Sequence, residues 1–120
     1  MAATVRRLEQ IFKSLDLAPR GKTCKGMAGL LEEGKEILEE DSAPEVLDAA
    51  LISAAQRVEH YEMAAYGCLR TYARLLGRDE AAELLQQTLE EEETTDETLT
   101  ALGEGGINQA AMAVRGEEDA

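Results

Sequence analysis

Aromatic side chains are scarce. Phe12, Tyr61, Tyr66 and Tyr72 are the only four, and tryptophan is absent. Sandwiches and barrels draw on aromatic and β-branched residues, so this poverty argues against both. Basic residues are also few: 12 Lys and Arg stand against 25 Asp and Glu, for a net charge of −13. A surface so acidic repels phosphate backbones and anionic headgroups, which disfavours nucleic-acid and membrane partners. Cysteine is limited to Cys24 and Cys68, too few for a disulfide scaffold in so short a chain. No apolar run resembles a signal peptide or is long enough to span a bilayer. The expected location is the cytoplasm, with both thiols reduced and packed as small buried fillers. A phosphate-cradling glycine loop, a nucleophile elbow and a CxxC pair are all missing.

The abundant residues are Ala, Leu, Glu and Gln, which favour helix. The 120 residues suit one all-α domain with a modest core. Apolar spacing predicts helices over about 4–15, 23–40, 43–76 and 79–102. Thr23 is placed to cap the second helix. Ser42 and Glu45 form a capping box around Pro44 for the third, and Asp79 caps the fourth. Gly77 suits the end of the third helix, where a left-handed residue is wanted. These helices make one domain over 1–103. The tail over 104–120, rich in Gly, Ala and charge, reads as largely flexible apart from an anchor near Ile107.

Some acids fall where leucine belongs. On the third helix, Leu47, Leu51, Ala55, Val58, Ala65, Leu69, Tyr72 and Leu76 form one stripe with a gap at Glu62. At 100° per residue, Glu62 lies within about 40° of the stripe's centre. Glu59 sits at its edge and His60 points roughly opposite. On the fourth helix, Glu92 and Asp96 continue the line between Leu89 and Leu99. Buried carboxylates pair, protonate or bind a cation. Acids from two helices in one seam are how di-iron and di-manganese bundles are built. The competing reading is an acidic run, Glu90 to Glu93, on a solvated face, or salt bridges to Arg57, Arg70 or Arg74. Tyr61, Tyr66 and Tyr72 suit core or interface packing.

Several strings carry a family resemblance: RLEQIF at 7–12, KTCKGMAGLLEE at 22–33, DAALISAAQRVEHYEMAAYG at 48–67, LLQQTLEEE at 84–92, TDETL at 95–99 and GGINQA at 105–110. Together they resemble the YciF/YciE family of bacterial ferritin-like proteins over nearly the whole chain. The resemblance implies a ferritin-like up-down helical bundle, a dinuclear iron or manganese centre, homodimers and a link to stress responses. It implies iron or peroxide handling as the activity class without defining a substrate or establishing an enzyme. Residue by residue, it places Glu59 and Glu62 in the family's third bundle helix and Glu92 and Asp96 in the fourth. These are the metal ligands expected here.

The sequence departs from the family at its start. Family members begin with a further acidic helix and a complete second helix bearing an acid and a histidine. Here the chain joins the pattern in the last turns of that second helix, and no Glu-x-x-His pair is present. Three explanations fit: a truncated reading frame, a short form whose half-bundles pair by dimerisation, or loss of metal binding. The last corresponds to a non-catalytic helical dimerisation or interaction protein. For it, Ile52, Met63, Ala64 and Gly67 offer a contact surface.

Overall fold

A computed structural model describes residues 2–119, with side chains described to Val114. The described residues form five α-helices: α1 (Ala2–Ser14), α2 (Lys25–Glu39), α3 (Pro44–Leu75), α4 (Asp79–Leu102) and α5 (Asn108–Asp119). No strand occurs among the described residues. The molecule is all-α with bundle-like packing. α3, 32 residues long, spans about 48 Å at 1.5 Å per residue. It sets the long axis of a 63 × 27 × 22 Å body.

α3 and α4 form an antiparallel hairpin, the most extensive helix pairing among the described residues. Its turn is short because Gly77 takes a left-handed conformation (φ 71°) just after the C-cap Leu76. A Cβ there would be strained. α2 folds back on α3, and α1 lies against α4.

The caps differ from those expected. Cys24, not Thr23, caps α2, its Sγ accepting from the Met27 N–H at 3.4 Å. Ala43 is the N-cap of α3, without a side-chain bond, and Pro44 takes the first turn. α4 starts at Asp79 behind Arg78. In α3 and α4, acids in the first turn (Glu45, Asp79 and Glu80) complement the helix dipole.

The core lies where the C-terminal half of α3 meets the N-terminal half of α4. Ala73, Ala81, Ala82 and Leu85 are buried there, with Leu8, Ile11 and Tyr66 packed against them. Small alanines let the helix backbones approach, and Leu85 fills the space between them. Farther along α4, Thr88 and Leu89 are also buried. Beyond this core the α3 stripe opens out: Leu69, Tyr72 and Leu76 are exposed.

Residues 104–119, expected to be largely flexible, are helical instead. A π-turn over Gly103–Ile107 leads into α5, and the backbone leaves helical geometry at Gly106. α5 then packs back on α3. Gly106, at φ 152°, makes the bend between α4 and α5. Ala120, the end of that tail, lies outside the described residues.

Candidate metal site

Glu59 and Glu62 stand three residues apart on α3, so they share a face. Glu92 faces them from α4. One carboxylate oxygen of each lies within 4.8 Å of the others, and all three side chains are partly buried. They line a cavity of about 610 Å³. Ala3 and Thr4 of α1 form one wall, and Met27 and Leu31 of α2 contribute another.

The electrostatics follow from crowding like charges away from water. Burial pushes the Glu62 carboxyl up to about 7, helped by its hydrogen bond with Glu92. Burial also raises Glu92 to about 7, helped by the hydrogen bond with Glu59. Near neutrality Glu62 and Glu92 thus retain protons that exposed carboxylates have lost. Glu59 Oε2 is buried with no hydrogen-bond partner. Tyr66, one turn after Glu62, has its hydroxyl raised by burial and then by the negative charge of Glu62 and Glu92.

The expected ligands divide. Glu59, Glu62 and Glu92 come together, whereas Asp96 is outside their cluster. Asp96 lies one turn beyond Glu92 and turns to His60, whose Nε2 is 3.0 Å from Oδ2. Gln56 Nε2 approaches the other Asp96 oxygen at 3.5 Å and donates more closely to Thr100 Oγ1, at 2.7 Å. His60, set opposite the stripe by periodicity, is exposed and bridges α3 to α4 through Asp96. Glu59, at the edge of the stripe, reaches inward.

Two of the three arginines expected to neutralise these acids are engaged elsewhere. Arg57 donates to Glu33 at 3.1 Å, and Arg70 to Gln86 at 2.6 Å. An arginine that periodicity did not single out pairs instead with a sequence neighbour of the trio. Arg7 of α1 grips Glu91, the neighbour of Glu92, with two guanidinium nitrogens and reaches Thr88 Oγ1 at 3.1 Å. An RLEQIF string with an arginine at the edge of an apolar stripe gave no sign of a contact 84 residues away.

The cysteines are exposed rather than buried. Cys24 Sγ lies 3.0 Å from the Tyr61 hydroxyl. That contact, followed by the Met27 N–H, lowers the thiol below its ordinary pKa. Tyr61 and Tyr72 are largely exposed, and Tyr66 alone of the three packs on the core. No helix among the described residues is long and apolar enough to cross a membrane.

The profile of a family described as a domain of unknown function, DUF892, matches residues 2–112. Escherichia coli protein YciF is 47% identical over 108 residues, covering 89% of this chain and 65% of its own length. The crystal structure of that protein, described as a stress protein, superposes with a TM-score of 0.84 at 46% identity, over 89% of this chain and 68% of its own. YcfI from Rhodopseudomonas palustris superposes at 0.78 with 40% identity, over 81% of this chain and 62% of its own. The chain thus spans just under two thirds of the curated relative it matches.

Proposed function

The chain belongs to the DUF892 family, and on that footing we propose that it is a ferritin-like, stress-associated protein whose Glu59, Glu62 and Glu92 bind iron(II) or manganese(II). The observation that carries the reading is the trio itself: three partly buried carboxylates within 4.8 Å, with no basic side chain paired to any of them among the described residues. Like charges held this close call for protons or a cation. Hard carboxylate oxygens suit iron(II) and manganese(II), and the unpartnered Glu59 Oε2 offers a free ligand atom. The donor set therefore fits one such ion.

A dinuclear centre needs more ligands than these three. Two copies related by a two-fold axis, each presenting its trio, would supply six carboxylates, and a homodimer is the association we propose. A bound iron would contribute Lewis acidity and electrons for handling oxygen or peroxide. The protein's share is to hold Glu62 and Glu92 protonated until a cation displaces those protons. Burial between α3 and α4 keeps the carboxylates desolvated. We place this activity in the cytoplasm.

A second reading, a non-catalytic interaction protein, draws on one observation. Leu69, Tyr72 and Leu76 are exposed beside Leu8, Ile11 and Phe12 around an apolar groove of about 440 Å³. Apolar surface of this kind favours packing against another helix. This groove is distinct from the Ile52–Gly67 surface expected from the sequence.

Metal content separates the two readings. Protein purified without chelator and loaded with iron(II) or manganese(II) should retain metal, and Glu62→Ala should lose it with helicity unchanged. Absence of metal after loading would favour the interaction protein.

A further inference from the structure

Four carboxylates line the acidic cavity: Glu59, Glu62, Glu91 and Glu92. Only Glu91 has a basic partner among the described residues. Arg7 Nη1 donates to its Oε2 at 2.8 Å and Nη2 to Oε1, a two-point fork. The guanidinium is fixed from a third side, because Nη1 also donates to Thr88 Oγ1 and Thr88 is buried. The Arg7 side chain is 16% exposed, against 50% for Glu91. Arginine does not lose its proton in proteins, and a planar fork on a carboxylate is strongly directional.

Glu91 stands at a boundary. With Thr95 it lines both the acidic cavity and the adjoining surface pocket that Arg7 lines. Its carboxylate has two prospective owners: the guanidinium on one side and a cation held by the trio on the other. The same fork clamps α1 to α4, the element that carries Glu92.

We propose that Arg7 sets the affinity of the acidic site by withholding Glu91 from it. With the fork in place, a hard divalent cation meets the three carboxylates of the trio, because Glu91 is held by Arg7. With Arg7 neutralised, Glu91 is released and offers a fourth carboxylate at the same cavity. Arg7 is thus a positioning and selectivity residue that acts through Glu91, and the inference rests on the metal reading above. Release of that fourth carboxylate tightens binding by about tenfold or more, given the strength of charge pairs at partly buried sites.

The experiment is calorimetric titration of the full chain with Mn²⁺ alone, with circular dichroism on every variant. Arg7→Gln should bind Mn²⁺ at least about tenfold more tightly than the wild type. Arg7→Lys keeps the charge and should stay within about threefold of it. The double variant Arg7→Gln with Glu91→Gln lacks the fourth carboxylate and should lose most of the gain. Arg7→Met keeps an unbranched side chain between α1 and α4 and stands in if the glutamine variant loses helicity. Mn²⁺ binding that Glu62→Gln abolishes but neither neutral Arg7 variant tightens overturns this inference alone. A double variant as tight as Arg7→Gln overturns the role of Glu91. No Mn²⁺ bound by any folded variant, wild type included, overturns the metal reading and this inference with it.

Discussion

The Tyr61 ring lies so close to Gly26 that a Cβ on that glycine would stand 2.6 Å from the ring's outer atoms. The contact joins α2 to α3 and brings the Tyr61 hydroxyl to Cys24 at the α2 cap. Gly26→Ala should expel the ring. The loss of that exposed contact is opposed by the smaller backbone entropy cost of alanine over glycine in the first turn of α2. Net stability should barely move. The thiol should respond instead: Gly26→Ala and Tyr61→Phe should both raise the Cys24 pKa, read from the pH dependence of alkylation in a Cys68→Ser background. An alkylation profile unchanged in both variants would break the link.

Stability without metal should depend on pH through the trio. Glu62 and Glu92 have folded-state values near 7 against 4.5 for free carboxyls. The native state thus binds more protons than the unfolded one between these values. Their contribution is fully present below about pH 4.5 and is lost as pH rises through about 7. In chelator, the melting temperature should fall across that window. Glu62→Gln with Glu92→Gln should flatten the fall, because a neutral amide has no proton to lose. The same slope in wild type and double variant would show that the trio is not its source.

Asp96 is satisfied by His60 and Gln56, outside the cluster of Glu59, Glu62 and Glu92. Asp96→Asn should therefore leave metal content intact. It should cost at most about 1 kcal/mol, the usual worth of a partly exposed hydrogen bond. Metal analysis together with a urea titration reads both. Loss of metal equal to that of Glu92→Gln would return Asp96 to the ligand set.

How far the sequence alone reached depends on the range of the interaction. The hairpin of α3 and α4 was legible because its signals are local: a 3.6-residue apolar repeat, Pro44 at the start and Gly77 at the turn. Glu62 and Glu92 were legible because each interrupts such a repeat. Of the four expected ligands, Glu59 lies in the cluster and Asp96 turns to His60, because periodicity fixes a Cα direction, not the rotamer of a long side chain. Arg7 was invisible as a partner of Glu91 because nothing local links residues 84 apart. α5 was missed because composition does not distinguish a glycine bend from a helix end. The cysteines were misplaced because a small apolar side chain was assumed to seek the core, whereas Cys24 caps a helix.

Leu85 is 6% exposed, among the alanines where α3 meets α4. Leu85→Ala should cost about 2–5 kcal/mol through lost burial and the cavity left behind. Chemical denaturation monitored by circular dichroism would show the loss. A cost below about 1 kcal/mol would mean that this junction is not the core.

The most direct measurement is the binding of Mn²⁺ to the chelator-free chain at pH 8, where Glu62 and Glu92 have largely released their protons. Binding should be saturable and weaken as pH falls below about 7. Glu62→Gln or Glu92→Gln should abolish it while helicity is kept. Binding that is absent in the wild type, or that survives both substitutions unchanged, rules out a cation site on these carboxylates.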